Sequence, residues 1–262
     1  MKNEVEKVPI LQLTQEGSSA KEDLVAREVA ATIILNEHEL VTLLCSPKNL
    51  DYLAVGFLAS EGLLTSREEI KRVMVDDERG VVRVDTTALG FSEDMLFKRL
   101  STSGCGRGTS FYSPADAASQ RVESPTRISG DRVLGLVHQF QHGSEVFRLT
   151  GGVHSAALSD TEGILVFHED IGRHNAIDKV FGECLLREIP VEGRLVITSG
   201  RISSEILLKV SKRNIPILIS KSAPTDQGVR LADALGITLI GFVRGKRMNI
   251  YTNQWRVTTD GE

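Results

Sequence analysis

The apolar positions of this chain change pattern midway. Residues 27–45 read Arg-Glu-Val-Ala-Ala-Thr-Ile-Ile-Leu, then Asn-Glu-His-Glu, then Leu-Val-Thr-Leu-Leu-Cys. Two β-rich runs around a short polar turn predict a hairpin, closed by Pro47. Leu50, Leu53, Ala54, Phe57 and Leu58 then recur at helical spacing, predicting a helix over 49–64 with Gly62 as its C-terminal cap. A second helix over 66–72 and a strand over 80–86 follow. Residues 1–26 carry no such signal and read as a mobile, irregular leader.

Beyond residue 127 strands and helices alternate. The pattern predicts a helix near 129–141 and strands near 145–149, 152–158 and 163–168. It continues with a helix at 173–187, a strand at 194–198, a helix at 203–213 and a strand at 215–220. A helix at 226–235 and strands at 237–243 and 248–251 end it. Such alternation predicts an α/β (α+β) layered domain over 128–262, with a mostly parallel or mixed sheet. A smaller α+β domain occupies 27–99. Residues 100–127 are rich in Ser, Gly, Thr and Pro and predict a long loop or linker, where function often resides.

Composition narrows the class. The chain is 41% apolar and 25% charged, as expected of a soluble globular protein. No apolar run approaches the roughly 20 residues of a membrane helix. Met1-Lys2-Asn3-Glu4-Val5-Glu6-Lys7 leads into no apolar signal-peptide core. Three cysteines, at 45, 105 and 184, are few and far apart, which predicts a reduced, cytoplasmic protein without a disulfide framework. The net charge of −4 hides an asymmetry. Residues 201–256 hold ten Lys or Arg against three acidic residues, which predicts an anionic ligand on that side.

Cys105 sits in Ser-Thr-Ser-Gly-Cys-Gly-Arg-Gly-Thr-Ser-Phe, residues 101–111. A structural cysteine sits among apolar neighbours. A thiol among glycines and hydroxyls, beside Arg107, suits a nucleophile or a carrier of a transferable group. Five polar turns near predicted strand or helix ends add candidates, one of them Ser220-Lys221-Ser222-Ala223-Pro224-Thr225 after a predicted strand. Thr150-Gly151-Gly152-Val153-His154 offers either an approachable backbone or a tight structural turn. Glu169-Asp170-Ile171-Gly172-Arg173-His174 lies at a strand end, where open α/β sheets gather ligands. Asp170 caps the following helix or pairs with His174 on one face. Ser199-Gly200-Arg201 precedes a helix start able to bind an anion, with Ser203 or Ser204 as N-cap. Phe242-Val243-Arg244-Gly245-Lys246-Arg247 places a basic turn between two strands, suited to phosphate or to open solvent. The chain has no His-Glu-x-x-His and no Cys-x-x-Cys, and no metal site is assigned.

Together these blocks resemble the FdhD family of formate dehydrogenase accessory sulfurtransferases, over residues 27–256. The resemblance rests on Ala54-Val55-Gly56-Phe57-Leu58 with Glu61-Gly62, Ser103-Gly104-Cys105-Gly106 and Thr150-Gly151-Gly152-Val153-His154. It rests equally on the block from Glu169 to Lys179 and on Ser199-Gly200-Arg201. It implies a sulfurtransferase that takes sulfur from a cysteine desulfurase as a persulfide. The sulfur would pass to the molybdenum (or tungsten) bis-guanine-dinucleotide pterin cofactor of formate dehydrogenase. It implies a cytidine deaminase-like fold, a homodimer, and neither nucleic acid nor membrane as partner. By position, Cys105 matches the persulfide-bearing cysteine, and Phe242 through Arg247 match the cofactor-binding segment. With less weight, Gly151, Gly152, His154, Arg173, His174, Ser199, Gly200 and Arg201 join that site.

One departure matters. The family loop often reads Cys-Gly-x-Cys-Gly, and this chain has Gly108 in place of the second cysteine. Persulfide transfer would then rest on one loop thiol. A cofactor-binding chaperone that moves no sulfur is the alternative. Deamination is disfavoured, because zinc deaminases need a His-x-Glu and a Pro-Cys-x-x-Cys. Here the matching segment reads His154-Ser155-Ala156, and no Pro-Cys-x-x-Cys exists.

Overall fold

A computed structural model describes residues 4–87 and 121–259. Cys105 lies outside the described residues, as does the expected linker up to residue 120.

Strand β1 (Val5–Thr14) and strand β2 (Gly17–Ala26) pair antiparallel from Val5↔Ala26 to Thr14↔Gly17. This corrects the irregular reading of the leader. The hairpin satisfies its backbone hydrogen bonds across itself and buries little, so its sequence carries no core-facing alternation. Leu11 and Leu13 are largely exposed near its tip.

Strand β3 (Val29–Leu35) and strand β4 (His38–Cys45) form the expected second hairpin. Asn36 (φ 46°) and Glu37 (φ 72°) both take the left-handed conformation that a tight, right-twisted hairpin turn requires. Ala31, Ile33 and Leu35 alternate inward. Helix α1 (Leu50–Glu61) covers them, ending at Gly62 (φ 74°), whose N–H reaches the carbonyls of Ala59 and Leu58. Residues 67–69 make only one 3-10 turn before strand β5 (Ile70–Asp76). The helix expected over 66–72 is therefore corrected. The charge-rich run has helical propensity, but Val73 and Val75 pair with Val84 and Val82 of strand β6 (Val81–Thr86). The sheet runs β4-β3-β6-β5.

The second unit opens with strand β7 (Ile128–Ser129) and helix α2 (Gly130–Gly143), capped by the Ser129 hydroxyl accepting from Arg132 N–H. Residues 145–149, expected as a strand, belong to helix α3 (Glu145–Thr150). The reason lies far away in sequence. The Glu169 carboxylate accepts from Val146 and Phe147 N–H at 3.0 Å each, supplying a helix start that no local residue announces. Next come strand β8 (His154–Ser159), strand β9 (Ile164–Asp170) and helix α4 (Arg173–Leu186). Strand β10 (Leu195–Thr198), helix α5 (Ser204–Ser211), strand β11 (Ile217–Ser220) and helix α6 (Asp226–Ala234) follow. Strand β12 (Thr238–Arg244), strand β13 (Arg247–Ile250) and strand β14 (Val257–Thr258) complete the unit.

The central sheet has the order β13-β12-β11-β10-β8-β9. Only β10, β11 and β12 run parallel, so it is mixed rather than mostly parallel. The two-residue period splits its strands between two cores. Val196, Leu218 and Leu239 face α4, α5 and α6, while Ile197, Ile219 and Ile240 face α2.

Helix α4 also binds the two units together. It crosses α1 so closely that a Cβ on Gly56 would stand 1.7 Å from the Asp178 carbonyl oxygen. One on Gly182 would stand 1.8 Å from that of Tyr52. Only glycine permits this approach. Among the described residues no helix is long and apolar enough to cross a membrane.

Candidate functional site

The strand registers bring most sequence candidates to one edge of the central sheet. Thr198 pairs with Ser220, Ile219 with Ile240, and His154 with Asp170. That edge therefore carries His154 at the start of β8 and Ser199-Gly200-Arg201 after β10. Lys221 stands there after β11, and the Phe242–Arg247 turn joins β12 to β13. Arg173 and His174 stand there at the start of α4, directly after β9. Gly151 (φ 66°) ends α3, and Gly152 rests against Ala26 of β2 on the approach to His154.

The Ser199 turn is held by short-range polar bonds. Its hydroxyl accepts from Ser155 N–H at 3.0 Å and lies 3.3 Å from His154 Nδ1. Gly200 N–H donates to Thr198 Oγ1, and Ser220 Oγ donates to the Gly200 carbonyl at 2.7 Å. A Cβ on Gly200 would lie 2.9 Å from the Arg173 Cβ, so the glycine lets the arginine stem cross the turn. Two polar atoms in this corner are buried without a partner, Arg173 Nε and Ser203 Oγ. Ser203 is the N-cap residue of α5, yet its side chain makes no capping bond. Two buried donors without a protein partner are costly unless something binds there.

The electrostatics are cationic. Among the described residues no carboxylate pairs with Arg173, Arg201, Lys221, Arg244, Lys246 or Arg247, whereas most other basic side chains of α4 and α5 are paired. Burial, then the neighbouring Arg244, lowers the Lys221 pKa. Arg244 itself lies 5.7 Å from the centroid of the Phe242 ring, a cation–π distance. Phe242 sits at φ 52°, within the register shift between Gly241 and Arg244. A left-handed phenylalanine is a strained conformation that the surrounding strands must hold. The result is an exposed arginine beside an aromatic ring at the sheet edge.

His174 is neutral. Burial first, then Lys209, Arg173 and His154, bring its pKa down to about 3, although Glu205 Oε2 lies 3.3 Å from its Nε2. His154 shifts downward also, chiefly by burial and then by Arg173. Neutral imidazoles can donate or accept one hydrogen bond each without adding charge.

The structure separates residues that the sequence grouped. Asp170 neither caps α4 with its side chain, for which Gly172 is the N-cap residue, nor pairs with His174. It forms a fully buried pair with Lys179 at 2.7 Å. Its carboxylate also accepts from Ser46 N–H, Gly172 N–H and Asn175 Nδ2. Lys179 donates in turn to the Ser46 carbonyl. Asp178 is likewise buried, and binds Lys209 and the Ser60 hydroxyl. These residues join the units. The sequence marks the Ser220-Lys221-Ser222 turn but assigns Lys221 no role at the site, and it misses Glu205, which only folding brings to His174. Among the described residues no group of three or more His, Cys, Asp or Glu forms a metal-ligand set.

Fold and edge define an α/β protein with a cationic, glycine-turned edge at its strand ends, its candidate ligand site. The chain belongs to the FdhD/NarQ family, whose profile matches residues 26–258. A protein of Bacillus pumilus named sulfur carrier protein FdhD is 43% identical, covering 98% of this chain and all of its own. A Bacillus subtilis protein of the same name is 44% identical, covering 93% of this chain and 94% of its own. A crystal structure from Desulfotalea psychrophila, described as that of a formate dehydrogenase accessory protein, superposes with a TM-score of 0.80. It covers 97% of this chain and 99% of its own at 24% identity, a likeness of fold.

Proposed function

We propose that this chain is a sulfur carrier that matures formate dehydrogenase. Cys105 receives sulfur from a cysteine desulfurase and passes it to a molybdenum (or tungsten) bis-guanine-dinucleotide cofactor held at the cationic sheet edge. The names of the Bacillus relatives support the carrier role. The observation that carries the cofactor reading is the set of cations that have no carboxylate partner among the described residues, with the orphaned Arg173 Nε among them. Pyrophosphate and phosphate groups need several such donors at once.

The loading step is an exchange. The Cys105 thiolate attacks the outer sulfur of the donor's cysteine persulfide, the donor's S–S bond breaks, and the donor cysteine leaves as thiolate. No outside oxidant or reductant enters. A single thiol suffices, so Gly108 does not block it. At the edge, Arg201, Lys221, Arg244, Lys246 and Arg247 would bind the nucleotide phosphates. The neutral His154 and His174 would border them without adding charge. We place this work in the cytoplasm, by a homodimer.

Anaerobic incubation with a cysteine desulfurase and L-cysteine, followed by intact mass measurement, tests the reading. We expect a gain of about 32 Da, one sulfur atom, that is absent from Cys105→Ala. No adduct, together with retained cofactor binding, would leave the chaperone that moves no sulfur.

A further inference from the structure

Helix α2 carries a pair of nitrogen ligands well apart from the cationic edge in sequence. Val133, Leu136, Val137 and Phe140 turn into the core at helical spacing, which leaves His138 and His142 exposed. Four residues apart, the two side chains share one face of the helix. Their ring centroids lie 4.2 Å apart at an interplanar angle of 45°. Two imidazole nitrogens, each about 2.0–2.1 Å from one metal ion and at roughly a right angle, hold their ring centres about 4.5 Å apart. The pair therefore stands close to chelating separation in the folded helix. The same His-x-x-x-His spacing supplies two zinc ligands in the helical His-Glu-x-x-His motif. Here Gln139 stands in place of the motif's glutamate, so the spacing implies ligation without its general base.

Two further observations support ligation. His142 Nδ1 donates to the His138 carbonyl oxygen at 2.8 Å. That bond fixes the tautomer and leaves the lone pair on Nε2, as the outer hydrogen bond of a metal-bound histidine does. The pair also lies in the last two turns of α2 (Gly130–Gly143), where the negative end of the helix dipole favours a cation. Arg148 opposes this in part, since it donates to the His142 carbonyl. Both side chains are exposed, so solvent and salt screen the repulsion.

We propose that His138 and His142 chelate one divalent late transition-metal ion, with water filling its other positions. Imidazole suits Cu²⁺, Ni²⁺ and Zn²⁺, whereas the hard ions Mg²⁺ and Ca²⁺ prefer oxygen. The ion joins successive turns of α2, so it binds the folded helix in preference to the unfolded chain. The proposal is independent of the sulfur-carrier reading, since it uses no residue of the sheet edge and not Cys105.

Isothermal titration calorimetry of the full, untagged chain with NiCl₂, ZnCl₂ and MgCl₂ tests it, in a Cys105→Ala background that removes the loop thiol as a competing ligand. We expect saturable binding of one Ni²⁺ per chain, weaker binding of Zn²⁺ and none of Mg²⁺. His138→Gln and His142→Gln should each weaken Ni²⁺ by about tenfold or more, at least what loss of an outer-shell partner costs. His38→Gln, at an exposed histidine of the β3–β4 hairpin, should leave the affinity unchanged. Excess Ni²⁺ should raise the Tm of the parent chain and raise that of His138→Gln much less. Circular dichroism confirms that each variant is folded. Among the described residues no hydrogen bond engages a His138 ring nitrogen, so His138→Gln decides if His142→Gln is unfolded. No saturable Ni²⁺ binding, equal binding of Mg²⁺, or unchanged Ni²⁺ affinity in folded His138→Gln would overturn the proposal.

Discussion

The Lys179 ammonium lies 2.7 Å from the Asp170 carboxylate, and neither side chain reaches solvent. Around this pair Ser46 of the first unit donates its N–H to Asp170 and accepts from Lys179 through its carbonyl. The pair thus ties the segment after β4 to the start of α4, which carries Arg173 and His174. Removing one charge leaves the other buried alone, at a cost of about 3–5 kcal/mol. Urea unfolding should show that loss in Lys179→Met and in Asp170→Asn. The double variant should lose less than the sum of the singles, because each single also pays for its stranded partner.

The crossing of α1 and α4 predicts a second sensitivity. Gly56→Ala places a methyl group where the Asp178 carbonyl stands, and neither backbone can yield without separating the helices. Overpacking of this kind costs about 1–3 kcal/mol or more. Gly135→Ala on α2, where a Cβ meets nothing within 4 Å, should be neutral or stabilising. Thermal unfolding of the two variants side by side distinguishes a local contact from a general intolerance of alanine.

Acid should weaken the fold through His174. Its folded pKa is depressed to about 3 from 6.5, so the unfolded chain takes up a proton that the native chain refuses. Stability from this group is complete above pH 6.5 and falls as the pH drops toward 3, by up to about 1.4 kcal/mol per pH unit. His174→Gln removes the titration. Its stability should decline less steeply than that of the native chain between pH 6.5 and 5; identical slopes would show that His174 is protonated in the fold.

The cationic edge predicts a salt-dependent affinity for guanosine diphosphate, taken as one arm of the proposed cofactor. Arg244→Ala and Arg247→Ala should each weaken it by about tenfold at low ionic strength, with smaller differences at high salt. Arg132→Ala is the control. Arg132 bonds the Thr161 carbonyl and Glu162 at the β8–β9 turn, the opposite edge of the sheet. An equal effect from all three would mean that overall charge, not this edge, governs binding.

The thiols should differ in reactivity. Burial pushes Cys45 and Cys184 up to about 12, which keeps both as thiols at neutral pH. Iodoacetamide at pH 8 should modify Cys105 in the folded protein and reach the other two only after denaturation, as peptide mass mapping would show.

Local chemistry was readable where it answers to itself. The β3–β4 hairpin, α1 with its glycine cap, and the alternating strands and helices after β8 follow from apolar period and turn residues. The reading failed where a distant partner decides. Val146 and Phe147 look like a strand until Glu169, more than twenty residues on, receives their N–H groups. The 66–72 run favours a helix until β6 offers a ladder. The β1–β2 hairpin has almost no buried face to leave a period in its sequence.

The site divides the same way. The turns at Ser199, at Gly245 and before His154 were marked by residue type, because glycine, hydroxyl and basic residues have few other reasons to cluster after strands. The charge balance of residues 201–256 also foretold a cationic face. By itself, then, the sequence determined the elements that answer to local pattern, the family blocks and the kinds of group available. Only the tertiary structure decided which charges are spent inside. It committed Asp170, Asp178 and Lys179 to buried bonds and, among the described residues, left Arg173, Arg201, Lys221, Arg244 and Arg247 without carboxylate partners at one edge. The physical reason is that a charge is neutralised by whatever lies within a few ångströms, and across a sheet those neighbours are set by strand register, not by position along the chain.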